Sequence, residues 1–344
     1  MNYIWKLSDL KNIKKNGYKV FSCFSCGGGS SLGYKLAGYD VIGNCEIDPK
    51  MNKLYIENNH PKYTYEMGVQ DFYKLEDIPE ELFNIDILDG SPPCSTFSIA
   101  GQREKVWNKQ KKFREGQAEQ VLSDLFFEFI KVVERLKPKI IIAENVKGII
   151  LGNAKGYLNE IIKQFNSLNY DVQIFLLNSA TMGVPQKRER VFFICRRKDL
   201  NLKPIQLQFN EKPILYKEFA DTEYIQLNKD TMEYARWLKR KPSDNSIGDT
   251  VKRTENKVSR FNAVYVKLDK VPPTLVAGNE KSLTRYDKPG KITKKDIVTI
   301  QTFPQDYNFM DQRPSYVCGM SVPPIMMGKI AEQVKIQLLD KIGE

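Results

Sequence analysis

The sequence predicts an α/β fold built on a doubly wound, mostly parallel sheet, with a second and smaller module towards the C-terminus. Three observations lead there. Short apolar runs of strand length alternate with helically spaced stretches from Lys19 to Cys195, the order expected of βαβ units. The first run meets a glycine-rich turn and then a helical pattern, the opening of a nucleotide-type βαβ unit. From about Lys198 the periodicity fades, and Arg236 to Arg260 holds eight basic against three acidic residues. That change sets Asn201 to roughly Arg285 apart as a separate module.

In order, Lys19 to Phe24 reads as a buried strand, followed by the turn Cys26-Gly27-Gly28-Gly29-Ser30 and a helix through Leu36. The glycines let backbone approach a ligand at a helix N-terminus, although a plain tight turn would look the same. Val41 to Cys45 makes a second strand that ends on Glu46, 17 residues beyond Gly29. Dinucleotide folds place an acid for ribose hydroxyls near that spacing. Asp48-Pro49 starts a helix through Tyr55, and a third unit ends near Met67 to Phe72. A fourth strand runs into Asp89-Gly90-Ser91-Pro92-Pro93-Cys94. Two prolines fix an extended segment at the carboxyl end of that strand, the edge where open α/β sheets bind ligands. A cysteine held there is placed like a nucleophile; the bland alternative is a small hydrophobe beneath a turn.

Gln102 to Gly116 holds six basic and two acidic residues, interleaved with Trp107 and Phe113. It reads as a solvated loop or as one that closes over a phosphate backbone. Asp124 caps a helix whose apolar residues, Leu125 to Leu136, belong mostly to the core and stop at Lys137-Pro138. Ile140 to Ala143 is a buried strand with Glu144-Asn145-Val146 at its end, where burial would disfavour the charged form of Glu144. A helix from Tyr157 to Leu168 and strands from Val172 to Leu177 and Val191 to Cys195 follow. Arg188 and Arg190 flank Glu189, so on extended chain both guanidinium groups would face one way. After the module come a helix to Ile300, a loop from Cys318 to Pro324 and an amphipathic helix from Ile325 to Leu339.

Composition narrows the function. With 344 residues, 41% of them hydrophobic, the chain can bury a real core. Lys and Arg number 53 against 42 Asp and Glu, a net charge of +11 that favours a polyanionic partner. No apolar stretch approaches the roughly 20 residues of a transmembrane helix, and Met1 to Lys6 lacks an apolar signal core. A cytoplasmic protein with no membrane partner is expected. Six scattered cysteines do not make a disulfide framework. Cys23 and Cys26 have CxxC spacing, but with no second pair and with His60 the sole histidine, no metal site is expected. His60 reads as a surface turn, which leaves Ser-His and Cys-His hydrolase chemistry without a base.

Taken together, the blocks Phe24-Ser25-Cys26-Gly27-Gly28-Gly29, Glu46-Ile47-Asp48, Pro92-Pro93-Cys94, Phe97-Ser98, Glu144-Asn145-Val146, Gln186-Lys187-Arg188-Glu189-Arg190, Phe303-Pro304 and Gly319-Met320-Ser321-Val322 resemble the DNA cytosine-5 methyltransferase family of restriction-modification systems. The resemblance runs in order from about Val20 to Cys195 and from Val271 to the C-terminus. It implies a class I S-adenosylmethionine-dependent methyltransferase fold: a catalytic domain over 1–200, a target-recognition domain over 201–285, and a return to the catalytic domain over 286–344. By the same resemblance the cofactor is S-adenosylmethionine, held by Phe24, Cys26, Gly27, Gly28, Gly29, Glu46, Ile47, Gly68, Val69, Pro93, Leu125, Ser321 and Val322. The partner is double-stranded DNA, touched by Ser98, Arg103, Lys105, Lys109 and Arg114. A monomer is implied, with a cognate restriction endonuclease acting separately if one exists. The family usually has glycine where Cys26 stands, an acid near Gly68 and asparagine where Met320 stands; all three departures fall in the cofactor pocket.

The implied catalytic residues are Cys94, Glu144, Arg188 and Arg190. Carbon 5 of cytosine is a poor nucleophile, and a thiolate adding at carbon 6 converts the ring to an enamine that accepts a methyl group. Cys94 would supply that sulfur. Glu144 would hold a proton at ring nitrogen 3. Arg190 would hold the carbonyl at ring position 2, and Arg188 would support it or a phosphate. The base must leave the stack first. Two other readings stay open: a cytosine-5 methyltransferase acting on transfer RNA, which usually lacks a long recognition module, and a non-catalytic DNA-binding relative. A dehydrogenase would leave Cys94, Glu144 and the arginine pair idle.

Overall fold

In the computed structural model, described for residues 1–93, 110–111, 120–121, 125–258, 263–278 and 283–343, the chain forms two compact units. The larger comprises residues 8–178, 189–209 and 326–344; the smaller comprises residues 1–7, 179–188 and 210–325. No described helix is long and apolar enough to cross a membrane.

Seven strands make the sheet of the larger unit: β1 (Lys19–Cys23), β2 (Asp40–Cys45), β3 (Tyr63–Tyr65), β4 (Ile87–Gly90), β5 (Ile140–Val146), β6 (Tyr170–Asn178) and β7 (Glu189–Arg197). Their order is β3-β2-β1-β4-β5-β7-β6. β7 runs antiparallel to both its neighbours, and every other pairing is parallel. The strand order reverses between β1 and β4, the switch point at which such sheets open a crevice. This is the class I methyltransferase order, doubly wound as expected.

Successive residues of β4 show the two faces. The Asp89 side chain meets Tyr34 of helix α1 (Gly29–Leu36), whereas a side chain at Gly90 would strike the Phe129 ring of α4 (Leu125–Leu136). Helix α2 (Pro49–Asn59) joins α1 through Ser31 and Tyr55, and α5 (Lys155–Ser167) joins α4 through Phe126 and Phe165. Between α2 and α4 the chain forms the single turn α3 (Val69–Phe72). Helix α4 buries seven apolar side chains along one stripe. At about 2 kcal/mol each, that burial outweighs the few tenths per residue by which β-branched Val132 and Val133 disfavour a helix. Asp48 caps α2 by accepting from the backbone N–H of Lys50 and Met51, with Pro49 in the first turn, and the helix extends one turn beyond Tyr55.

The smaller unit has helices α6 (Met232–Leu238), α7 (Ile247–Glu255), α8 (Lys294–Ile300) and α9 (Pro314–Met320) and a four-stranded sheet. The strands are β8 (Ile225–Gln226), β9 (Val264–Val266), β10 (Leu283–Arg285) and β11 (Gly290–Lys291), in the order β8-β11-β10-β9. Its core gathers Leu227, Trp237, Ile247, Val251, Ala263 and Tyr265. Arg240 lies 3.4 Å from the centroid of the Trp237 ring and 4.9 Å from that of Tyr286. Two expectations need correction. Cys318 to Met320 is the last turn of α9, not loop, because Pro314 pre-sets a helical start and Val317 and Cys318 are buried. The last helix, α10, starts at Pro324 and ends at Gln337.

Candidate active site

The carboxyl ends of β1, β2, β4 and β5 supply the groups that the sequence singled out in the larger unit. After β1 the chain turns sharply. Phe24 and Cys26 both take positive φ, as does Gly28 at φ 80°. A side chain at Gly28 would also collide with the Asn59 amide, so only glycine fits there. Gly28→Ala adds a left-handed strain of about 1–2 kcal/mol to that collision. We expect it to lower the urea midpoint and to weaken binding of S-adenosylmethionine; an unchanged midpoint would contradict the geometry.

Glu46, at the end of β2, is buried at 8% exposure. Its Oε2 accepts the Cys26 N–H at 2.8 Å and its Oε1 accepts the Asp48 N–H at 2.9 Å. Burial pushes its carboxyl up to about 7, against the pull of those backbone donors. A carboxylate offers about four lone pairs; the backbones of Cys26, Asp48 and Ile47 donate to it, which leaves acceptor capacity for a ligand hydroxyl. Phe24 is half-buried, its ring 6.3 Å from Phe129. This donor set and the close-backbone turn fit S-adenosylmethionine. Ile47 and Pro93 are half-buried, Val69 and Leu125 buried, and Gly68 caps α3. Ser321 and Val322 belong to the smaller unit, where the Ser321 carbonyl accepts from Gln301 Nε2.

On β5, Glu144 is buried and Arg190 of β7 meets it, Nε to Oε1, at 2.9 Å. Glu144 lies inside the strand rather than beyond it, since the antiparallel pairing with β7 continues to Val146 opposite Arg190. Asn145 donates its Nδ2–H to the Pro92 carbonyl at 3.1 Å, tying β5 to the segment that runs into Cys94. Arg188, grouped with Arg190 on the sequence, is engaged elsewhere. Its guanidinium donates to the carbonyls of Leu275 and Gly319, at 2.9 and 3.0 Å, within the smaller unit. Arg188 immediately precedes β7, which begins at Glu189, and its backbone carbonyl accepts from the Ser179 N–H at 3.0 Å. Cys94, Ser98, Arg103, Lys105, Lys109 and Arg114 lie outside the described residues.

One buried group was missed. Asp89 is 2% exposed; its Oδ2 accepts from Ser22 Oγ at 2.7 Å and its Oδ1 from Tyr34 OH at 3.2 Å. The signal in the sequence is an acid at the end of an otherwise apolar run, which the structure carries on as strand through Gly90. Burial holds Asp89 up at about 7, the two hydroxyl donors opposing it and the Glu144 charge adding to it. Both Glu46 and Asp89 therefore bind protons more tightly folded than unfolded. Their stabilisation is full below about pH 4 and is lost as pH rises through about 7. At 1.36 kcal/mol per unit the effect is on the order of 3–4 kcal/mol for each. Urea unfolding should accordingly show Asp89→Asn gaining on the unsubstituted chain between pH 5 and pH 8; a constant difference would refute the assignment.

A family model described as C-5 cytosine-specific DNA methylase matches residues 18–336. The chain belongs to that family. Among curated relatives, the type II methyltransferase M1.HphI of Haemophilus parahaemolyticus is 28% identical over 90% of this chain and 85% of its own length. M.FnuDI of Fusobacterium nucleatum is 28% identical over 94% of this chain and 96% of its own. A solved DNMT2 variant from Spodoptera frugiperda superposes with a TM-score of 0.64 at 16% identity, covering 95% of this chain and all of its own; it shares the fold. As a C-5 cytosine DNA methylase, the protein is an S-adenosylmethionine-dependent DNA (cytosine-5) methyltransferase.

Proposed function

We propose that this methyltransferase acts on a cytosine flipped out of a specific DNA sequence, through a covalent bond from Cys94. The observation that carries the reading is the Glu144–Arg190 pair on β5 and β7, beside an Asn145 clamp on the chain entering Cys94. A hydrogen-bonding acid and a guanidinium on adjacent strands suit the two polar edges of one pyrimidine.

S-adenosylmethionine, when bound, supplies an electrophilic methyl group. The Cys26–Gly29 turn and Glu46 would hold it. The Cys94 thiolate adds to carbon 6 of cytosine while Glu144 delivers its proton to ring nitrogen 3, and the electron pair released at carbon 5 takes the methyl. Loss of the carbon 5 proton to water, with return of the ring nitrogen 3 proton to Glu144, then expels the thiolate and restores the ring. Arg190 keeps Glu144 oriented and faces the carbonyl at position 2. Arg188 is better read as a clamp between Leu275 and Gly319 than as a substrate ligand.

The basic stretch 102–116 supplies phosphate contacts, which fix position without reading sequence, and the module over 201–285 reads the target. Flipping costs a few kcal/mol, recovered by the pocket and the phosphate contacts. Bisulfite sequencing of DNA from cells that express the protein tests this directly. Cytosines protected at one recurring sequence are expected; none protected would defeat the reading.

A further inference from the structure

Beyond β3 the chain passes close to Glu46. The Glu46 N–H donates to the Tyr65 carbonyl at 3.0 Å, and Cys45 Sγ donates to the Met67 carbonyl at 3.3 Å. Residues 65–68 therefore run beside Glu46 at the carboxyl edge of the sheet, where β2 and β3 pair in parallel. Gly68 is buried there and brings no side chain of its own. A Cβ at position 68 would strike the amide of Gln70, at both its Oε1 and its Nε2. The Gln70 amide thus fills the space that a side chain at 68 would have taken.

Gln70 Oε1 is buried, yet among the described residues no group donates to it. The large majority of buried side-chain polar atoms have a partner, because an amide oxygen withdrawn from water loses its hydrogen bonds unless a donor replaces them. The acids on either side of it are differently placed. Glu66 is exposed and accepts from Asn52 Nδ2 at 3.3 Å, and Asp71 is exposed as well. An acceptor that the fold leaves unused, next to a carboxyl suited to ribose, fits a donor on the base of the same nucleoside.

An amide edge carries one acceptor and one donor side by side. That pattern matches the 6-amino group of adenine and the ring nitrogen beside it. Resting on the proposed seat of S-adenosylmethionine at Glu46 and the Cys26–Gly29 turn, we infer that Gln70 selects the adenine base of the cofactor. Its Oε1 accepts from the 6-amino group and its Nε2 donates to the neighbouring ring nitrogen. Glu46 holds the ribose and Gln70 reads the base, so adjacent strand ends recognise the two parts of one nucleoside. Gln70 takes no part in the chemistry at the methyl group; it decides which nucleoside enters.

The test is equilibrium binding to the purified full chain, read by calorimetry, of two ligands: S-adenosylhomocysteine and its analogue with hydrogen in place of the 6-amino group. Both carry the same ribose and amino-acid parts, so the ratio of their affinities isolates the amine. The unsubstituted chain should prefer S-adenosylhomocysteine by about 10- to 100-fold, the usual effect of leaving a buried acceptor unpaired. Gln70→Leu, close in size and apolar, should bring the ratio near one, chiefly by weakening S-adenosylhomocysteine. Gln70→Glu keeps an acceptor and should keep a preference for the amine. Glu46→Gln, which acts on the shared ribose, should weaken both ligands alike and leave the ratio as it was. Each ratio is taken within one variant, so a loss of folded protein cancels. A ratio near one in the unsubstituted chain, or an equal preference with and without the Gln70 amide, would overturn the inference and leave the pocket standing. A chain that binds neither ligand would defeat the pocket itself, and the inference with it.

Discussion

Cys94→Ser should abolish methyl transfer, by on the order of 10^4-fold or more, while DNA binding stays within a few-fold. The reason lies in acidity. A thiol ionises near pH 8.5, so some thiolate exists at neutral pH, and the thiolate is the nucleophile. A serine hydroxyl supplies almost no alkoxide there, and the only histidine of the chain, His60, caps α2 in a left-handed, exposed turn, so it offers no base. Without addition at carbon 6 the ring has no electron pair to give to a methyl group. Binding, in contrast, comes mostly from phosphate contacts that need no sulfur. Transfer of a labelled methyl group and a mobility-shift titration on the same DNA separate the two effects. Full methylation by the serine variant would remove Cys94 from the reaction.

Much of this architecture could be read from the chain because each element announces itself locally. Ile140 to Ile142 is too apolar to be anything but a strand buried on both faces. Asp48-Pro49 is a helix start in three ways at once: a side-chain cap, a fixed φ and a missing N–H. The turn after β1 was legible from its glycines. What stayed hidden depends on register between distant strands. Arg188 and Arg190 look equivalent two residues apart, and only the pairing of β7 with β5 assigns Arg190 to Glu144 while Arg188 bonds to Leu275 and Gly319. Asp89 was invisible for the same reason, since its partners Ser22 and Tyr34 lie 67 and 55 residues away. The smaller unit carries little periodicity because its strands are two or three residues long, too short for alternation to register.

Glu144→Gln should slow turnover by about 10^2- to 10^4-fold, the usual loss when a positioned acid is removed, with S-adenosylmethionine affinity little changed. Glutamine keeps the length of the side chain and can still accept from Arg190 through its amide oxygen. It also donates hydrogen bonds, so the cytosine ring can still be held. It cannot release a proton, and that is the function at stake. Cofactor affinity should survive because the turn residues and Glu46 follow β1 and β2, whereas the Glu144–Arg190 pair stands on β5 and β7. The substitution does carry a stability cost. Glu144 and Arg190 are both largely buried, and a buried guanidinium left without its counter-charge costs up to 3–5 kcal/mol. Rates should therefore be taken well below the variant's own unfolding midpoint. A pure stability effect would lower the active fraction and leave the single-turnover rate of the folded protein unchanged. Loss of the proton donor lowers that rate itself at saturating cofactor and DNA. An unaltered single-turnover rate would take Glu144 out of the reaction and reduce its contact with Arg190 to a strand-to-strand brace.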